Sequence, residues 1–577
     1  MTSQPPSPPP PPVGPGRLLL VLLAFASLAV VATWPLARQA HDHVFGLGTP
    51  PLNVWAIGVV LHKLRFDPLT LFDGNAFYPY GNSLAFSEHL FVPALLAAPV
   101  VGLGGNLVLA HNVVALASMA LAGLGMFLLA RELTGHSAGA FVAGILYAFH
   151  TWNVNELIRL QILSNQWFPF LVLALIRYLR QPSRAAAAWV GAVYLLQSLS
   201  CMYWALYAPL LAVGLTLFLS WRRGSRPKDL VPLAVTLGAA ALILVPFVRP
   251  YLENTRRFGF SRTLPESVPL DRYFDVLPGN WLYADLLGTA SPNADAAHFL
   301  GLTALALAGL GLWRGRFRED ARTWKVFLAA LTRGSVLLGL GPEMQVGGLE
   351  LGPGPYRILW DWLPGFRSVR YPERFSLFAV LGLAPLVAAG LASLRVRPLL
   401  AGSLAAAALF LEHLSVPLTL APLPTSPRLA EAQVWLAGQT DARVVAEVPG
   451  AHNYLDRLEA ERMYLSTFHW KRTVQGFTGY YPRTQSFLRW RLHHFPDPES
   501  LAFLEGFGVD TLIINPAADA PALPQEILQA PALVTFPGGQ RVLRLNPTYR
   551  LLGPPPLRPH TLVELDRSRW ELLASSP

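Results

Sequence analysis

The chain has 577 residues, of which 53% are hydrophobic and only 14% charged, and its mean hydropathy is +0.38. Soluble domains carry about 25% charged residues, so this composition excludes a chain that faces water on all sides. The formal charge of +10, from 45 basic and 35 acidic residues, suits basic loops on one side of a membrane rather than nucleic-acid binding.

Residues 1–16 are largely proline, which supports neither a helix nor a packed core; a disordered cytoplasmic tail is expected. Arg17 opens an apolar run from Leu18 to about Leu36, long enough to cross a hydrocarbon layer of about 30 Å. A cleaved signal peptide would have a shorter apolar region and an A-x-A-like site, so a retained first helix is expected. Further apolar runs fall at 107–130, 136–152, 165–180, 185–200, 203–221, 229–249, 297–313, 324–341, 372–394 and 398–421. With the first, at 18–38, they predict about eleven transmembrane helices. The single cysteine, Cys201, lies inside one such run and excludes an internal disulfide or a CxxC site.

Loop charge tests this count independently. With the amino terminus inside, alternate connections should be basic. Arg131 follows the second run, and Arg177, Arg180 and Arg184 flank the fourth. Arg222, Arg223, Arg226 and Lys228 follow the sixth, Arg314, Arg316, Arg318, Arg322 and Lys325 the eighth, and Arg395 and Arg397 the tenth. The opposite loop 250–296 is net acidic. Segments 39–106, 153–164, 250–296 and 342–371, together with everything after Ala421, then share the outer face, where an active site is expected.

Segment 39–106 carries the polar stretch His41-Asp42-His43, an expected amphipathic helix from about Leu52 to Leu64, and the aromatic turn Phe77-Tyr78-Pro79-Tyr80. Ser87-Glu88-His89 then precedes the apolar run Leu90–Gly104, which is short for a span and reads as an interfacial helix. From about Pro422 the chain becomes more charged. Runs such as 442–448 and 508–514 read as strands, and 426–438 and 498–506 as helices. That alternation predicts a small soluble α/β domain. The expected fold is thus a polytopic α-helical membrane protein with interfacial helices and a C-terminal soluble α/β domain. Its divisions are a tail at 1–16, a membrane domain at 17–421 and an extracytoplasmic domain at 422–577.

One helix, an outer loop with an acid near its start, interfacial helices and then Ala130-Arg131-Glu132-Leu133-Thr134-Gly135 closing the next span together resemble the GT-C class of membrane glycosyltransferases, within a bacterial GT-C-like family. The resemblance extends through Phe77-Tyr78-Pro79-Tyr80, Ala85-Phe86-Ser87-Glu88-His89, Gln161–Trp167, Pro355-Tyr356-Arg357, Leu363–Arg367, Pro372-Glu373-Arg374-Phe375 and Gly476–Pro482. It implies transfer of a hexosyl or pentosyl group from a polyprenyl-phosphate-linked donor to a lipid, glycan or protein acceptor, on the outer face of a bacterial inner membrane.

Attack of an acceptor hydroxyl on an anomeric carbon needs a carboxylate to take its proton. Asp42 stands where this class places its acid, and Glu88 is the second candidate; Glu88 equally suits a cap of the interfacial helix, with Ser87 as its N-cap. His89 and Asn53 are candidate substrate ligands. The leaving lipid phosphate needs cations, for which Arg357, Arg367, Arg370 and Arg374 are the candidates, with Arg256, Arg257 and Arg262 behind them. Arginines at a membrane edge also snorkel to headgroups. No cofactor is indicated beyond a divalent metal at His41-Asp42-His43, and ligands at i and i+2 of a loop support it weakly. One position departs from the class: where relatives carry Gly-Asp-Pro-Leu-Leu-Asn, this chain has Gly48-Thr49-Pro50-Pro51-Leu52-Asn53. A non-catalytic scaffold for envelope assembly therefore stays open, and so does a transporter, although mid-span charges and inverted repeats are not evident.

Overall fold

The computed structural model describes residues 11–287, 289, 297–425, 430–448, 450, 457–493, 495, 500, 504, 506–515, 532–537 and 539–544. Most of the expected tail 1–16 and of the expected helix 498–506 lies outside them, as does the chain after residue 544. Two compact units emerge. One contains Met1–Ala40, Asn112–Pro246 and Ser261–Leu420, the other His41–His111, Phe247–Phe260 and Ala421–Pro577.

In chain order the helices begin with α1 (Pro15–Ala32), α2 (Thr49–Phe66), α3 (Phe91–Gly102), α4 (Leu107–Thr134) and α5 (Ser137–Phe149). There follow α6 (Thr151–Asn155), α7 (Leu160–Leu163), α8 (Trp167–Arg180), α9 (Arg184–Ser200), α10 (Met202–Arg223) and α11 (Pro227–Phe258). The series continues with α12 (Leu302–Arg314), α13 (Ala321–Gly339), α14 (Tyr356–Trp362), α15 (Ser376–Ser393) and α16 (Pro398–His413), and then α17 (Glu431–Ala437), α18 (Arg457–Leu465) and α19 (Arg483–His493). Each of the eleven predicted spans overlaps one of the helices α1, α4, α5, α8 to α13, α15 and α16 over most of that helix. Six stretches are long and apolar enough to cross a membrane: α1, α4, Leu160–Arg180, α10, α11 and Pro372–Ser393. The protein is a multi-pass membrane protein.

The first unit packs helices tightly through small residues. A Cβ added at Gly311 on α12 would lie 2.1 Å from the Leu386 carbonyl oxygen of α15, and one at Gly390 on α15 would lie 2.1 Å from the Leu307 oxygen of α12. Backbone thus meets backbone, the close approach that small residues permit between membrane helices. At the other extreme of polarity, Glu132 near the end of α4 pairs with Arg177 (2.8 Å) and Arg180 of α8. Arg180 and Arg223 in turn pair with Glu319, each at 2.9 Å. The ends of α4, α8 and α10 and the α12–α13 connection are the ones loop charge assigns to a common side, and these ion pairs join them.

The second unit joins sequence-distant pieces. Strand β1 (His43–Val44) pairs antiparallel with a later strand at Ala421–Pro422, and Leu423 N–H donates to the Asp42 carbonyl at 2.7 Å. The helix predicted amphipathic, α2, is instead buried on every side from Pro50 to Val60. Gly58 explains it, since its position abuts Leu107, Thr467 and Trp470 and leaves no face for water. The interfacial run forms α3, twelve residues long.

Counting the hairpin strands β2 (Glu343–Val346) and β3 (Leu349–Pro353) of the first unit and β4 (Ala421–Pro422), the remaining strands are β5 (Val444–Val448), β6 (Arg472–Thr473), β7 (Thr511–Ile514), β8 (Ala532–Thr535) and β9 (Arg541–Arg544). They form one sheet in the order β6-β5-β7-β9-β8. β5 runs parallel to β6 and β7, and β9 is antiparallel to β7 and β8. Near the carboxyl end of β5, Glu447 is buried and accepts from Gln433 and Asn515 at 3.2 Å each. Arg462, equally buried, lies 3.5 Å from Glu447 and 3.1 Å from Glu459. Burial pushes the Glu447 carboxyl above its usual range, against the opposing pull of Arg462.

Candidate functional site

In the second unit the two candidate carboxylates have different surroundings. Asp42 is half exposed and holds His43 Nδ1 at 2.7 Å, while the β1–β4 ladder fixes its backbone. On its other side Asn106 Nδ2 donates to the His41 carbonyl at 3.0 Å. The carboxylate therefore stays open to solvent on a pinned backbone, which suits a proton acceptor.

Glu88 and His89 are buried. His89 lies among the rings of Phe72, Phe247 and Tyr251, with centroids 5.5 to 6.2 Å away, and its Nδ1 meets the Tyr251 hydroxyl at 3.2 Å. That burial pushes its pKa down to about 3, so His89 is a neutral ring at working pH. Asn53 is buried within α2, its amide Nδ2 unpartnered, and Thr49 stands in the first turn of that helix. Among the described residues, no group of three or more His, Cys, Asp or Glu is placed to hold a metal.

The first unit gathers the cations. Arg374 is buried with its guanidinium carbon 4.1 Å from the Tyr203 ring centroid and 5.2 Å from that of Tyr371. Arg370 and Arg159 approach the same Tyr371 ring at 4.9 and 5.9 Å. Arg159 also reaches both carboxylate oxygens of Glu156 at 3.3 Å. Of the four arginines predicted from sequence, Arg370 and Arg374 thus share one aromatic ring. Arg357 pairs with Asp361 at 3.3 Å, and Arg367 donates to the Trp360 carbonyl at 3.4 Å; both are exposed. Arg159, Tyr203 and Tyr371 were not foreseen. The signal for Arg159 is its position one turn after Glu156, an acid just beyond the predicted span 136–152.

Local sequence builds this cluster. Pro355 precedes α14 and Tyr356 begins it. Gly365 has φ +90°, and a Cβ there would meet Leu206 at 2.6 Å, so only glycine makes the turn that buries Phe366. Pro372 then starts a 3₁₀ turn, Pro372–Phe375, which sets Glu373, Arg374 and Phe375 inward ahead of α15. The Phe366 and Phe375 rings stack at 6.4 Å. Tyr207 of α10 touches both, at 5.6 and 4.7 Å, and Tyr356 reaches each at 6.4 Å. Three separate stretches that carry the family resemblance, 355–357, 363–367 and 372–375, therefore meet at one place.

The architecture is similar to that of arabinofuranosyltransferase AftD from Mycobacteria, with a TM-score of 0.58 over 94% of this chain at 15% identity. This is the GT-C fold. A mutant form of AftD gives 0.56 over 92% of the chain at 14% identity. The chain spans 40% of the length of AftD. The GT-C likeness to archaeal oligosaccharyltransferase AglB from Archaeoglobus fulgidus, at a TM-score of 0.44 and 13% identity over 86% of this chain and 69% of that one, is too low to bear on the fold. No protein-family model and no curated protein matches the sequence.

Proposed function

We propose that the protein is a glycosyltransferase that moves a hexosyl or pentosyl group from a polyprenyl-phosphate-linked donor to an envelope acceptor. The observation that carries this reading is the gathering of Arg159, Arg370 and Arg374 around Tyr371 in a chain of GT-C fold. A lipid phosphate needs charge-assisted donors, and these three guanidinium groups outnumber the adjacent Glu156 and Glu373. The acceptor oxygen forms a bond to the anomeric carbon while the bond from that carbon to the phosphate oxygen breaks. Asp42 takes the acceptor's proton, and the arginines hold the negative charge left on the lipid phosphate. Arg357 and Arg367 attract the anionic donor from the exposed surface. His89 and Asn53 are neutral, and their proposed role is to hold substrate by hydrogen bonds alone.

On this reading the membrane domain 17–421 crosses a bacterial inner membrane eleven times. The tail 1–16 is cytoplasmic, and the domain 422–577 lies outside, where it meets the acceptor. The test is transfer of labelled sugar from a synthetic polyprenyl-phosphate donor by the full chain in lipid nanodiscs. Transfer that Arg374→Ala abolishes supports the reading. A wild-type chain that binds the donor and never releases lipid phosphate would establish the second reading, a scaffold, which the Thr49 departure favours.

A further inference from the structure

Buried tyrosine hydroxyls in the first unit generally have partners. Tyr147 donates to the Asn165 carbonyl at 3.2 Å, and Tyr273 meets the Ser376 hydroxyl at 2.9 Å. Among the described residues, the buried tyrosine hydroxyls without a partner are those of Tyr207 and Tyr356. Both side chains are at most 1% exposed. Leaving such a group unpaired is costly, and two independent lapses would have no reason to fall side by side.

They do fall side by side. Both rings contact Phe366 and Phe375. Tyr207 lies one turn along α10 from Tyr203, on the same helix face, and Tyr203 is the ring under Arg374. Each phenol also feels the charges of Arg374 and Glu373. The two hydroxyls thus adjoin the proposed phosphate site without belonging to it.

Their chemistry selects the ligand. A phenol is neutral and can both donate and accept, so it matches another hydroxyl. Glu373 beside them is an acceptor whose negative charge repels phosphate and welcomes O–H donors. The guanidinium groups around Tyr371 already supply what an anion requires. We infer that Tyr207 and Tyr356 bind the hydroxyl groups of the donor's sugar, next to the arginines that bind its phosphate. The inference rests on the glycosyl-transfer reading and makes these two tyrosines determinants of sugar specificity.

The experiment compares two probes on the full chain in nanodiscs: polyprenyl phosphate without sugar, and polyprenyl phosphate carrying a sugar. Tyr207→Phe and Tyr356→Phe remove one oxygen each and keep the ring packing. Each is expected to weaken binding of the sugar-bearing lipid by roughly 3- to 10-fold, the worth of one neutral hydrogen bond, and to leave binding of the bare lipid phosphate unchanged. Thermal stability of the unliganded variants should hold or rise, because an unpaired buried hydroxyl has gone. Equal losses for both probes would overturn the inference, as would an unchanged preference for the sugar-bearing lipid in the double variant. Failure of the wild-type chain to bind either probe would instead remove the lipid-phosphate reading, and this inference with it.

Discussion

The central guanidinium carbon of Arg374 lies 4.1 Å from the centroid of the Tyr203 ring. Arg374 comes from the turn before α15 and Tyr203 from the first turn of α10, so the contact ties two helix entrances together. It also holds a buried cation against an aromatic face.

The ring, rather than the hydroxyl, should matter at Tyr203. Tyr203→Phe is expected to retain donor binding. Tyr203→Leu should weaken it about 2- to 30-fold, the span of a cation–π contact of 0.5–2 kcal/mol. Arg374→Lys should fail to restore the wild-type value, because an ammonium has neither the planar fork nor the stacking surface. Titration with polyprenyl phosphate checks all three, and full activity in Arg374→Lys would count against the assigned role.

Asp42→Asn removes a proton acceptor and the carboxylate that meets His43, while the backbone stays held by the β1–β4 ladder. The expected outcome is a fall in kcat of about 10²- to 10⁴-fold with KM unchanged. Undiminished transfer would shift the base to another carboxylate.

Arg462→Met should destabilise the second unit by about 3–5 kcal/mol near neutral pH, because it strands buried carboxylates without their cation. The pH dependence has a definite sign. Glu447 titrates above the ordinary glutamate range in the folded chain, so between those two values the folded state holds more protons than the unfolded state. Stability then falls as pH rises through that window. Losing Arg462 removes the opposing pull and enlarges the effect. The drop in Tm relative to wild type should therefore be greater at pH 8 than at pH 5, and a deficit independent of pH would show that Glu447 is not the group responsible.

Gly390→Ala introduces a methyl where only 2.1 Å separates the added carbon from the Leu307 carbonyl oxygen. The helices α12 and α15 must separate to accept it, at a cost of about 1–3 kcal/mol. Thermal unfolding in detergent should report the loss. An exposed glycine such as Gly214, which has open space around it, should accept alanine without one.

The helices were legible as long apolar runs: every predicted span overlaps a helix, and six of those stretches are long and apolar enough to cross a membrane. Charge in the connections located the ends that ion pairs such as Glu132–Arg177 and Arg223–Glu319 join. The burial of α2 was not legible, since its covering residues, Thr467 and Trp470, lie some 400 positions later. The hairpin β2–β3 was within reach: Gly347 and Gly348 both have positive φ, the conformation a two-residue Gly-Gly turn favours. At the candidate site, cationic character was readable and the arrangement was not. Nothing local distinguishes Arg370, beside Tyr371, from Arg367, which bonds a nearby carbonyl.

The pairing of Val44 with Ala421 has a consequence for counting. Two strands joined by backbone hydrogen bonds occupy the same side of a bilayer, so the chain between residues 44 and 421 must cross the membrane an even number of times. Ten predicted spans lie in that interval, and losing or gaining a single one would pull the two strands to opposite sides. A two-residue ladder therefore acts as a parity check on the topology of nearly four hundred residues.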